Sequence, residues 1–139
     1  MARRIALGAI VANLLVAIAS LWEVVLVLAG YAELESGPHR FHTTAQNLEG
    51  HLDLLLISLL TVLVLVVARR GIRWSVLAFL GLPALVGQGF SLFVSGSFFW
   101  SGYWLWPAIV LAGVAAMSIA ALLSQAFVRI RRRPCERSG

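Results

Sequence analysis

The residues able to do chemistry in this chain are few, and they sit where polar groups are expensive. Glu23 interrupts an apolar run from Ile5 to Gly30 that is otherwise broken only by Asn13 and Ser20. His51 and Asp53 lie in the first turns of a second run, and Gln88, Ser91 and Ser95 form a polar stripe in a third. Ionisable groups at membrane depth need a partner or a task. Asn13, Ser20 and Glu23 are spaced seven and three apart, so helical geometry groups them on one face. Asn47 and His51 are four apart, as are Glu49 and Asp53. Glu23, His51 and Gln88 are thereby expected to approach one another in one polar layer, the candidate site. For Asn13, Ser20, Ser95 and Ser118, hydrogen bonding to neighbouring helices suffices, each contact being worth about 0.6–2 kcal/mol. For Glu23 and His51, a structural pair and a functional role both stay open.

The three histidines, His39, His42 and His51, fall on one side of the runs beside Glu33, Glu35 and Glu49. Such a group can hold a metal or a haem iron, for which imidazole is a common axial ligand. The spacing fits no compact motif such as His-Glu-x-x-His. His51 is the best single candidate because a span carries it. A second haem ligand would have to be His39 or His42, folded back over the bundle. There is one cysteine, Cys135, which excludes an intramolecular disulfide and a multi-cysteine zinc site. His51 and Asp53 are two apart and point to different faces of a helix, no serine–histidine–aspartate logic or phosphate loop is present, and a non-catalytic role is expected.

The elements that must position these residues follow from composition. The chain has 139 residues, 60% hydrophobic and 12% charged, with a mean hydropathy of +0.92. A soluble domain carries about 25% charged residues, and disorder needs low hydrophobicity, so both classes are excluded. Four apolar runs, at about 5–30, 47–68, 74–96 and 104–128, are each long enough to cross a hydrocarbon core of about 30 Å as a helix. The connections are Tyr31 to Gln46, Arg69 to Arg73 and Ser97 to Tyr103. The expectation is a single membrane domain: an all-α, four-helix, up-down-up-down bundle followed by a basic tail over 129–139.

All 11 basic residues are arginines, and ten cluster: Arg3 and Arg4; Arg69, Arg70 and Arg73; Arg129, Arg131, Arg132, Arg133 and Arg137. In a four-span protein those clusters share one side, leaving only Arg40 on the other. The net charge of +5 is therefore an orientation signal that places both termini in the cytoplasm, and not a nucleic-acid footprint. Trp100, Tyr103, Trp104 and Trp106 are expected to form an aromatic belt at the outer face, with Trp74 at the inner one. A cleavable leader ending near Ala17-Ile18-Ala19 is disfavoured because the apolar run continues to Gly30. Arg3-Arg4 lacks the rest of a twin-arginine pattern.

Span four has its own signature. Ala108, Ala112, Ala116, Ala120 and Ser124 recur every four residues, a small-residue seam that allows another helix to approach closely. The partner is a helix of the same chain, of another membrane subunit or of a second copy in a homo-oligomer. Pro83, Gly87 and Gly89 suggest a local bend in span three. Cys135, on the basic tail, is an acylation candidate or an idle thiol.

Taken in order, these pieces resemble one four-helix half of haem A synthase. The carrying residues are Val11-Ala12-Asn13-Leu14-Leu15-Val16 in the first span, Ser36-Gly37-Pro38-His39 in the loop, Leu48-Glu49-Gly50-His51-Leu52-Asp53 opening the second span, and Gln88-Gly89 followed by Gly96 in the third. The resemblance implies His51 as a haem ligand, with Glu49 or Glu23 as an acidic partner near the haem edge. It departs at the fourth span, where the family carries a second histidine and this chain reads Trp104-Leu105-Trp106-Pro107-Ala108. A five-coordinate haem, a loop histidine, a partner chain or loss of haem binding would each account for that. The expected function is a haem-handling or accessory component beside a terminal oxidase or respiratory complex in the bacterial inner membrane. The alternatives are a purely structural subunit of a larger complex, and a proton or solute carrier that uses Glu23.

Overall fold

The computed structural model describes residues 2–29, 44–70, 73–101 and 105–132. They form four helices: α1 (Ala2–Leu28), α2 (Thr44–Arg69), α3 (Trp74–Ser101) and α4 (Leu105–Arg132). Within them lie four segments long and apolar enough to cross a membrane, Arg3–Leu28, Leu48–Arg69, Ser75–Ser95 and Pro107–Val128. At about 1.5 Å per residue, helices of 26 to 28 residues reach about 40 Å, more than a hydrocarbon core requires. The chain is a multi-pass membrane protein built as an all-α four-helix bundle.

The helices run beyond the apolar stretches that mark them in the sequence. α3 continues through Ser101, so most of the expected Ser97–Tyr103 connection is helix; no glycine or proline interrupts residues 97–101. α4 continues to Arg132, so the basic tail begins as helix, in keeping with the preference of cations for a helix C-terminus. α3 also passes through Pro83 without a break. Pro83 lies on the exposed face of the helix, so its ring stands away from the bundle core.

α1 packs most extensively on α2, and α3 on α4; α1–α4 and α2–α3 contacts close the ring, with a smaller diagonal between α2 and α4. Neighbours are antiparallel: Gly87 of α3 faces Ile57 of α2, and one and a half turns back Gly81 faces Val64. At Gly87 the approach is close enough that an added Cβ would stand 2.9 Å from Ile57 Cγ1. The starts of α1 and α3 and the ends of α2 and α4 therefore gather at one end of the bundle, the arginine-rich end.

Side chains are sorted by size as well as polarity. Leu15, Ile18, Trp22, Phe79, Leu82 and Phe93 are exposed on the outer surface, as lipid allows. The interior near the arginine-rich end is an apolar cluster of Ala9, Val64, Leu65, Ala68, Leu77, Ala84, Ala121 and Leu122. Toward the opposite end the buried positions are, apart from Val24, small or hydroxylated: Ala17, Ser20, Ser58, Ser91, Ser95, Ala108 and Ala115.

Candidate functional site

Between these two halves of the interior lies a hydrogen-bonded layer to which every helix contributes one side chain: Asn13 from α1, Thr61 from α2, Gln88 from α3 and Ser118 from α4, all buried. Gln88 Nε2 donates to Asn13 Oδ1 and to Thr61 Oγ1, both at 2.9 Å. Asn13 Nδ2 donates to Ser118 Oγ at 2.7 Å and to the Ala9 carbonyl at 2.8 Å. Thr61 and Ser118 pass their own hydroxyl protons to the Ile57 and Val114 carbonyls one turn back. Each primary amide has two N–H donors, and all four are used. The layer is neutral, so it is suited to joining helices and to fixing their heights, not to acid–base chemistry.

The expected site separates along the bundle axis. Gln88 meets Asn13 and Thr61, which lie ten residues from Glu23 and His51 respectively. Ten helical residues rise about 15 Å, so Glu23 and His51 stand well away from Gln88, toward the end opposite the arginines. Glu23 is also exposed on the outer surface of the bundle. At about 100° per residue it is turned about 80° from Asn13, enough to leave the inward face. Glu23 is thereby removed from the layer, and the carrier reading loses the interior position it assumed. Glu49 and Asp53 are exposed and His51 is half-buried near the start of α2. His39 and His42, with Glu33, Glu35 and Cys135, lie outside the described residues, as does Trp104.

No group of three or more His, Cys, Asp or Glu side chains gathers among the described residues. Toward a haem iron these residues offer one imidazole, that of His51, while α4 carries no histidine. They fit attachment through a single ligand at the edge of the bundle and do not form a bis-histidine site.

The alanine seam divides between the inside and the outside of the bundle. A four-residue period gains about 40° per step on a helix of 3.6 residues per turn. Ala108 is buried, Ala112 half-buried, and Ala116 and Ala120 exposed. Within the chain, α4 instead packs through Ala108, Ala115, Ser118, Ala121 and Leu122. Ala116 and Ala120 look outward, together with Gly113, which has no neighbour within 4 Å of a Cβ position.

Asn13 and Ser118 make the hydrogen bonds to neighbouring helices that the sequence leads one to expect, whereas Thr61 is a member that the sequence pattern does not single out. Its signal was available: Thr61 and Ser58 are the polar residues within the apolar stretch from Leu54 to Ala68. No family model, curated protein or solved structure matches the chain.

Proposed function

We propose that this protein is a small, non-catalytic accessory subunit of a larger membrane complex, docked within the bilayer through the outward face of α4. The observation that carries the proposal is the exposure of Gly113, Ala116 and Ala120 together on one face of α4. Lipid gives no hydrophobic reason for helices to associate, so close approach depends on shape, and small residues four apart make a groove that a second helix can enter. The arginine clusters orient the bundle with both termini in the cytoplasm, as in a bacterial inner-membrane protein.

Replacing Ala116 and Ala120 by Leu tests this. The expected result is loss of co-purifying membrane subunits with an unchanged thermal midpoint for the isolated chain. Retention of those subunits, or binding of none by the unaltered chain, overturns the reading.

A second reading rests on His51, half-buried on a span, and on the resemblance to haem A synthase. In it the subunit handles haem beside a terminal oxidase, with His51 as the iron ligand and the haem supplying the redox or transfer chemistry. A Soret band in the purified protein that disappears in His51→Ala supports it. A band indifferent to that change, or no band, removes it.

A further inference from the structure

Between the polar layer and the end opposite the arginines, the interior holds polar atoms that the bundle does not use. Gln88 spends both its N–H groups on Asn13 and Thr61, while its Oε1 accepts from no described residue. The hydroxyls of Ser20, Ser58 and Ser91 likewise bond to no described residue. These four residues are 3, 5, 3 and 9% exposed, in the order Gln88, Ser20, Ser58, Ser91. Yet every fully occluded side-chain nitrogen and oxygen among the described residues has a hydrogen-bond partner. The four free oxygens are therefore not occluded: each faces space that a water molecule can touch.

Their positions are ordered. Ser58 and Ser91 lie three residues from Thr61 and Gln88, and Ser20 seven from Asn13, all displaced toward the same end. Helical rise places them about 4 to 11 Å beyond the layer. The buried alanines at these levels, Ala17 and Ala115, fill little volume. In the other direction Val64, Leu65, Leu77 and Leu122 close the interior, and lipid surrounds the flanks. Beyond the serines lies the end where His51 stands half-buried, with Glu49 and Asp53 exposed.

We infer that this half of the bundle is a hydrophilic crevice, entered from the end opposite the arginines and floored at mid-bilayer by Gln88. It takes water or a small uncharged solute with hydroxyl or amide protons. Gln88 Oε1 accepts from the occupant, and the serine hydroxyls donate to it or accept from it. The described residues that line it carry no charge, so ions are excluded by the cost of desolvation. The inference does not depend on the docking role of α4.

Single cysteines in a Cys135→Ser background, reconstituted in lipid nanodiscs, test it. The probe is 2-hydroxyethyl methanethiosulfonate, a small neutral reagent whose sulfur is attacked by thiolate, giving a mixed disulfide and methanesulfinate; thiols form thiolate in water and not in lipid or a dry core. Ser20→Cys, Ser58→Cys and Ser91→Cys are expected to react at least about tenfold faster than Ala84→Cys in the packed half or Ile18→Cys on the lipid face. Adding Ala17→Leu, which introduces bulk between Ser20 and the layer, should slow Ser58→Cys and leave Ser20→Cys fast. Variants are compared only where the thermal midpoint is kept, with Ala17→Val in place of Ala17→Leu if it is not. Rates at Ser58→Cys and Ser91→Cys equal to Ala84→Cys overturn the crevice, as does reaction confined to Ser20→Cys. Indifference of Ser58→Cys to the plug overturns the entrance.

Discussion

The two halves of the bundle interior solve the same problem with different materials. Near the arginine-rich end, Val64, Leu65, Leu77 and Leu122 mesh with Ala9, Ala68, Ala84 and Ala121, so large side chains from one helix fill the space left by small ones on the next. Toward the other end, every helix presents serine or alanine, and among the described residues Val24 is the one larger apolar side chain buried there. In water both halves would gain from hiding apolar surface. In lipid that gain vanishes, because acyl chains are as apolar as leucine. Stability then comes from shape in the first half, from hydrogen bonds in the layer, and from neither to the same degree in the second. A membrane bundle can leave part of its interior loosely filled when a cross-link nearby holds the helices.

The largest expected effect comes from cutting that cross-link. Asn13→Leu keeps the branched shape while removing the bonds to Gln88 and Ser118 and stranding a buried N–H of Gln88. It should cost about 2–4 kcal/mol, read as a lowered midpoint for unfolding in detergent. Leu65→Ala, in the filled half, removes packing without a transfer term and should cost about 2 kcal/mol by the same measurement. Gly87→Ala forces a methyl against Ile57 and should cost about 1 kcal/mol, whereas Gly89→Ala, with open space around it, should cost nothing. Ser58→Ala, in the loosely filled half, breaks no bond within the chain and should change stability by less than about 0.5 kcal/mol. If Ser58→Ala proved as damaging as Leu65→Ala, the contrast between the halves would collapse.

The four spans were legible because uninterrupted apolar runs of this length have few other uses. The bundle order was legible because connections such as Arg69 to Arg73 are too short for anything but an antiparallel neighbour. The layer was half legible. Asn13, Gln88 and Ser118 stood out as polar groups in apolar surroundings, but the sequence carries no ruler for depth between helices, so His51 and Gln88 were placed at one level when about 15 Å separates them. Rotation was the second gap. Ser20 stays near the Asn13 face after seven residues, whereas Glu23, three further on, has turned out of it. The alanine series of α4 divides for the same reason: four residues is not one turn, and the drift carries Ala116 and Ala120 to the outside while Ala108 stays buried. Thr61 escaped notice because a lone threonine in an apolar helix ordinarily bonds its own backbone, as it does here, and its second role as acceptor for Gln88 exists only once α3 is in place.

That dependence reaches into how the molecule comes together. Each span can enter the bilayer alone, and Thr61 and Ser118 bond carbonyls of their own helices, but the amides of Asn13 and Gln88 are completed only by other spans. Asn13 waits for α3 and α4, and Gln88 needs α1 and α2. A chain halted after two spans would hold an orphaned amide in hydrocarbon, and a three-span fragment would lack the serine of α4. The layer also sets the vertical alignment of the spans. Leucine and alanine surfaces tolerate a slip of one turn, about 5.4 Å, but such a slip carries a hydrogen bond of 2.9 Å far out of reach. Completion of all four spans is thus coupled to a single alignment, much as one buried asparagine selects the register of a coiled coil.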